Sequence, residues 1–296
     1  MPSHRADYYH VSLSLPQDLG PDTARKWADE WAELYNGAVL STSWVETEDG
    51  GFRLDWVMSG YPETEQFHGR TLQIEALPET DWQKFCEMSF PPFTIGRFFI
   101  HGSHFDGAVP GAVPEGHFPV CIDAAMAFGT GEHPTTAGCL TALEQLFEAD
   151  FKPHTMLDMG TGSGILSFAA WQLFKPAIVA VDMDRYSVRY ACRFREKNGI
   201  PAGRKGMLCK QGSHTGVRVI QDNAPYDLIT ANILANPLKT LAPGFAALLD
   251  PAGRMVVSGL MQDQRESVEE AYAAQGLKTV AVIAHKTWPT LIMARV

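Results

Sequence analysis

The sequence predicts an α/β fold built on a parallel β-sheet, preceded by a small α+β unit. Three observations predict it. An apolar strand over 155–159 runs into three glycines at alternate positions, Gly160, Gly162 and Gly164, and an apolar helical pattern follows directly. A second apolar run, Ala177-Ile-Val-Ala-Val-Asp182, ends in an acid 22 residues after Gly160, as in a strand–helix–strand unit with parallel strands. Near the C-terminus, strands over 279–285 and 290–294 are joined by four residues, Lys286-Thr-Trp-Pro289, so the two must pair antiparallel.

A length of 296 residues suits two domains, and 45% hydrophobic composition is ample for a core. The expected division is 1–78 for the small unit, 79–117 for a connection and 118–296 for the larger domain. The net charge of −10 favours a basic protein or a cationic small molecule over a phosphate backbone, so no direct nucleic-acid contact is expected. The polar start, Pro2-Ser-His-Arg-Ala-Asp-Tyr8, does not read as a signal peptide, and no apolar run reaches membrane-spanning length. Five scattered cysteines form no C-x-x-C pair. A reduced cytoplasm and a monomer are the expectation.

Within the first unit, 8–15 alternates as a strand and 22–35 carries helical spacing through Ala24, Trp27, Trp31 and Leu34. Strands at 39–45 and 52–58 flank Asp49-Gly50-Gly51, a hairpin turn, and 72–77 is a further strand. From 79 to 118 the composition turns to Pro, Gly, His and aromatics, with a strand at 95–100 and linker beyond it. His101 and His104 have no third ligand at suitable spacing, so no metal site is expected.

Beyond this stretch, Ile122-Asp-Ala-Ala-Met-Ala-Phe-Gly-Thr-Gly-Glu-His-Pro-Thr-Thr136 is a strand end, a glycine loop and a helix entry. Proline suits a first helical turn, and the threonines can cap the helix or meet a ligand. Helices follow over 185–197, 238–249 and 263–275, with strands at 226–232 and 254–258. The segment 206–223 is poorly patterned, and Gln211 to Ser213 is its one candidate for a ligand contact.

The glycine turn carries the chemistry. Without Cβ atoms it reaches backbone angles closed to other residues and lets a ligand lie against the main chain, while the amides of the new helix favour a ligand with acceptors. A dinucleotide fingerprint needs G-x-G-x-x-G; here the spacing is G-x-G-x-G with Asp158 two residues ahead, which suits an amine-bearing ligand better than a pyrophosphate. The phrase resembles the first motif of class I methyltransferases, whose ligand is S-adenosylmethionine. Asp158, Gly160 and Gly162 then line the cofactor, and Asp182 accepts from both ribose hydroxyls. Asp184 reads as the cap of the helix after it.

Three phrases together, Ala127-Phe-Gly-Thr-Gly-x-His-Pro-Thr-Thr136, Asp158-x-Gly-x-Gly-Ser-Gly-Ile-Leu166 and Ala231-Asn-Ile-Leu-Ala-x-Pro-Leu238, resemble the bacterial methyltransferase family of large-subunit ribosomal protein L-eleven. The resemblance covers most of 80–296 and implies a Rossmann-like seven-stranded sheet, with cofactor contacts at Thr136, Gly160, Asp182 and Asn232. It further implies lysine side chains and an N-terminal α-amine as acceptors, and a small N-terminal domain that holds the target. The chain departs from the family at Ala124-Ala125, where Pro-Gly is usual, at Glu132 and at Thr161. The first change removes a residue free to take positive φ, which bears on loop closure.

Asn232 ends its strand where class I methyltransferases acting on nitrogen present an Asn or Asp to the amine. An uncharged acceptor there holds an amine with its lone pair aimed at the sulfonium methyl. The bland alternative is a cap for the helix starting near Pro237. His133 is a candidate base. Related enzymes acting on electron-transfer flavoprotein share every catalytic phrase, and a nicotinamide-dependent oxidoreductase shares the strand–turn–acid geometry.

Overall fold

The computed structural model describes residues 8–35, 38–47, 49–77, 92–103, 105, 112–122 and 134–295. It divides the chain into two compact units, Met1–Ser89 and Phe90–Val296.

The first unit contains β1 (Tyr8–Leu15), α1 (Gly20–Leu34), β2 (Val39–Glu46), β3 (Phe52–Ser59), the two-residue strands β4 (Gln66–Phe67) and β5 (Arg70–Thr71), and β6 (Gln73–Ala76). Its main sheet has the order β2-β3-β1-β6, antiparallel throughout. Strand alternation sends Val11, Leu13, Leu54 and Trp56 to one face, where they meet Ala24, Ala28 and Trp31 of α1. Both buried indoles keep their N–H satisfied: Trp56 donates to the Ala28 carbonyl at 3.0 Å and Trp31 to the Met58 sulfur at 3.3 Å.

The second unit opens with β7 (Phe93–Ile95) and β8 (Phe98–His101), an antiparallel hairpin whose second strand pairs in parallel with β9 (Phe118–Cys121). The connection expected over 79–117 therefore includes an ordered part of the larger unit. Its aromatic alternation prevails over its Gly and Pro content, because Phe98 and Ile100 are completely buried in the same core as the helices that follow. His101 belongs to a ring cluster with Phe99 and Phe105, and His104 lies outside the described residues. Among the described residues no group of three or more His, Cys, Asp or Glu is placed to hold a metal ion.

The rest of the unit runs α2 (Pro134–Glu148), β10 (Thr155–Met159), α3 (Ile165–Phe174), β11 (Ala177–Asp182), α4 (Arg185–Lys197), β12 (Met207–Gln211), α5 (Arg218–Gln221), β13 (Tyr226–Asn232), α6 (Ala235–Leu248), β14 (Leu249–Ser258), α7 (Arg265–Ala273), β15 (Leu277–Ile283) and β16 (Thr290–Arg295). These strands form one seven-stranded sheet in the order β12-β11-β10-β13-β14-β16-β15. The first five are parallel, and β16 enters antiparallel between β14 and β15. No helix among the described residues is long and apolar enough to cross a membrane.

Side-chain alternation gives the sheet two apolar faces. Met156, Ile178, Leu228, Val256 and Ile292 pack with α2, α3 and α4, while Leu157, Val179, Ile229, Met255 and Leu291 pack with α6 and α7. Burial on both faces explains why the central strands read as continuous apolar runs. The same parity decides where the polar strand residues point: Asp158, Asp182, Thr230 and Asn232 all sit on the α2–α4 side.

Candidate active site

The carboxyl ends of β10, β11, β13 and β14 lie side by side in the sheet, which puts Gly160, Asp182, Asn232 and Gly259 at one edge. In open α/β sheets this edge is where ligands bind.

The turn after β10 holds Gly160, Gly162 and Gly164 at φ of +76°, +54° and +85°, a left-handed conformation that favours glycine. Its amides are engaged within the protein. Gly160 and Thr161 donate to the Val181 carbonyl at 2.7 and 3.0 Å, Gly162 to Asp182 at 2.9 Å, and Gly164 to the Thr161 carbonyl at 2.8 Å. These four amides are therefore already paired. What the glycines provide is close approach.

Asp158 corrects an expectation. Its carboxylate is 1% exposed and accepts from the hydroxyls of Thr161 and Ser167, each at 2.7 Å, and Thr230 at 2.6 Å. Asp158 and Thr230 are register partners on adjacent parallel strands, so the shortest of the three bonds follows directly from the sheet. Burial pushes the Asp158 carboxyl upward, and the three hydroxyls oppose that shift. This group fastens the turn to β13 and α3 instead of reaching a ligand. Thr161, a departure from the family phrase, is one of its donors.

Asp182 ends β11 with both oxygens in use, Oδ2 accepting from the Gly162 amide and Oδ1 from the Asp184 amide, each at 2.9 Å. A carboxylate has about four acceptor sites, so about two remain for a ligand hydroxyl. Asp184 caps α4, accepting from the Tyr186 and Ser187 amides. Gln211, at the end of the neighbouring β12, donates its side-chain amide to the Met183 carbonyl at 2.9 Å, and Met183 itself is 73% exposed.

Asn232 is the last residue of β13. Its Nδ2 donates to the Thr136 hydroxyl at 3.4 Å, joining the end of the sheet to the first turn of α2. Its Oδ1 is buried and has no hydrogen-bond partner among the described residues. A buried acceptor left this way costs about 1–3 kcal/mol, a cost that a ligand donor removes. The helix-cap alternative fails: the N-cap of α6 is Leu234, and no side chain caps that helix.

Sequence reasoning missed what fixes Asn232 in place. A Cβ on Gly160 would lie 2.3 Å from Ile233 Cγ2, and one on Gly259, at φ +86°, would lie 2.3 Å from the Ile233 carbonyl oxygen. The chain leaving Asn232 is therefore held between two glycines from the flanking strand ends. The available signal was a glycine directly after the apolar end of β14. Residues 123–133, including Ala124, Ala125, Glu132 and the candidate base His133, lie outside the described residues.

The family model described as ribosomal protein L11 methyltransferase (PrmA) matches residues 55–296. This chain belongs to the ribosomal protein L11 methyltransferase family. L11 methyltransferases of Caulobacter sp. (strain K31) and Rhodopseudomonas palustris (strain BisB5) are 35% and 37% identical to it, over 95% and 92% of this chain and 98% and 93% of theirs. A solved structure, the ribosomal protein L11 methylase of Lactobacillus delbrueckii subsp. bulgaricus, superposes with a TM-score of 0.59 at 27% identity, covering 69% of this chain and 98% of that one. The family consists of S-adenosylmethionine-dependent enzymes with the class I methyltransferase fold. The oxidoreductase alternative drops out for a member of the L11 methyltransferase family.

Proposed function

We propose that this L11 methyltransferase relative transfers methyl groups from S-adenosylmethionine to ribosomal protein L11, at lysine side chains and the N-terminal α-amine. It does so as a cytoplasmic monomer. The observation that carries the reading is the buried Oδ1 of Asn232, without a hydrogen-bond partner among the described residues, beside the glycine turn at the carboxyl edge of the sheet.

When bound, S-adenosylmethionine supplies an electrophilic methyl group on a positively charged sulfur. Gly160, Gly162 and Asp182 would hold it, with Thr136 beside Asn232 from α2, and Asp158 maintaining the turn. Thr136 is completely buried and already bonded to Asn232, so these two act as one polar unit. Asn232 supplies a neutral acceptor that orients an amine N–H and leaves the nitrogen lone pair directed outward. Neutrality matters: a lysine amine has a reference pKa near 10.4 and must lose its proton before it can attack, and a carboxylate here would favour the charged form. The first unit, taken as 1–78, holds the target protein.

Purified L11 incubated with the enzyme and isotopically labelled donor tests this by mass spectrometry. Added methyl groups on lysines and the N-terminus are expected, and ribosomal proteins from a deletion strain should lack them. If L11 stays unmodified while another protein, such as electron-transfer flavoprotein, gains the label, the target assignment fails and the chemistry stands.

A further inference from the structure

The net charge of −10 conceals a segregated distribution. Residues 185–218 contain nine of the chain's 24 Lys and Arg residues against one acid, Glu196. Five of the nine, Arg185, Arg189, Arg193, Arg195 and Lys197, are on α4. The others, Arg204, Lys205, Lys210 and Arg218, lie on and around β12, the outermost strand of the large sheet.

They gather around one edge of the sheet: Lys210 pairs in register with Val181 and points to the α6–α7 face, whereas α4 lies on the other face. Arg185, Arg189, Arg193 and Lys197 recur every fourth residue, so they share one face of α4 at intervals of about 6 Å along its axis. All four are exposed. Beyond the edge strand, Arg204, Lys210 and Arg218 line a cavity of about 360 Å³ together with the amides Gln211 and Asn223 and one acid, Asp222. Arg218 pairs with Asp222 at 3.4 Å. Among the described residues Arg189, Arg193, Lys197, Arg204, Lys205 and Lys210 form no ion pair. Holding this many like charges together costs self-repulsion that a polyanion would offset.

We propose that the β12 edge and the outer face of α4 bind RNA through its phosphate backbone, without base-sequence preference. A repeating row of cations along α4, continued by further cations around the sheet edge, fits a polymer of regularly spaced charges better than a single small anion. A membrane surface fits poorly, because none of the large exposed apolar residues falls within 185–218, and interfacial helices need such residues on their buried side. This proposal departs from the expectation of no direct nucleic-acid contact, which rested on the chain's average charge.

Fluorescence anisotropy of the full-length protein with labelled RNA of about 20 nucleotides, between about 50 and 200 mM salt, tests the proposal. Binding should weaken steeply with salt, and the triple variant Arg189→Glu/Arg193→Glu/Lys210→Glu should lose at least about tenfold in affinity and show a shallower salt dependence. Lys210→Glu and Lys278→Glu change the net charge equally, but Lys278 lies on β15 at the opposite edge of the sheet. Only the first should weaken binding. Circular dichroism and S-adenosylhomocysteine titration confirm that the variants fold. Absence of RNA binding at low salt, equal loss in both single variants, or tighter binding to phosphatidylserine vesicles or polyglutamate would overturn the proposal.

Discussion

Gly160 and Ile233 approach so closely that one methyl group on the glycine would lie 2.3 Å from Ile233 Cγ2. The glycine turn and the residue after Asn232 are therefore one mechanical unit. Gly160→Ala must take a side chain at φ +76°, costing about 1–2 kcal/mol, and must also push Ile233 away. We expect at least a tenfold loss of methyl transfer. Ile233→Ala in the same chain should restore part of it, because the second substitution removes the atom that is struck. A double variant no better than Gly160→Ala would show that strain in the turn alone accounts for the loss.

Gly259 approaches the same residue from β14, but against backbone instead of side chain. Gly259→Ala should reduce turnover, and Ile233→Ala should give no rescue, since the obstructing atoms are the Ile233 nitrogen, carbon and oxygen. Steady-state kinetics of the four variants separates the two contacts. Rescue in both pairs would mean that the backbone shifts freely and that the two glycines do not fix Asn232.

Asp158 carries a pH signature. Burial raises its carboxyl above the ordinary 3.8, so the folded state favours the protonated form. Its contribution to stability is present below 3.8 and is lost as pH rises through the folded value. Asp158→Asn cannot ionise. Denaturant unfolding should therefore show the variant gaining on the native chain as pH rises from about 4, with the two curves flattening to a constant offset above the folded pKa. A constant offset across the whole range would mean that the hydroxyls of Thr161, Ser167 and Thr230 cancel the burial effect.

Asp182 holds the turn and is left with acceptor capacity for a ligand. Asp182→Ala removes the acceptor of the Gly162 and Asp184 amides, and S-adenosylhomocysteine affinity should fall about 10- to 100-fold, or about 1.4–2.8 kcal/mol. Calorimetry measures this directly, and unchanged affinity would remove Asp182 from the site.

Most of the large sheet was legible because its strands are buried on both faces, and because Asp182 and Asn232 mark where two of them end. The order of the last strands was half legible. The short Lys286-Thr-Trp-Pro289 connection required an antiparallel pair, whereas insertion of β16 beside β14 depends on long-range packing. Hairpin β7–β8 was read as one strand and then linker, because Gly96 and Arg97 turn the chain inside a run too short to show two periods. Asp158 was legible as a feature but not in its structural role, because the three hydroxyls that converge on it come from positions 3, 9 and 72 residues away. The pairing of the turn's amides was not legible either, since Gly160 and Thr161 donate to a carbonyl of the next strand and Gly162 to its terminal carboxylate. Charge on α4 was visible residue by residue and was lost in the sum.

One paired measurement bears most directly on the site. Asn232→Ala should bind S-adenosylhomocysteine within about tenfold of the native protein, since the glycine turn and Asp182 remain, while methylation of free L11 falls at least about a hundredfold. Undiminished methylation by that variant would contradict the account, because the buried acceptor assigned to the substrate amine would then have no part in the reaction.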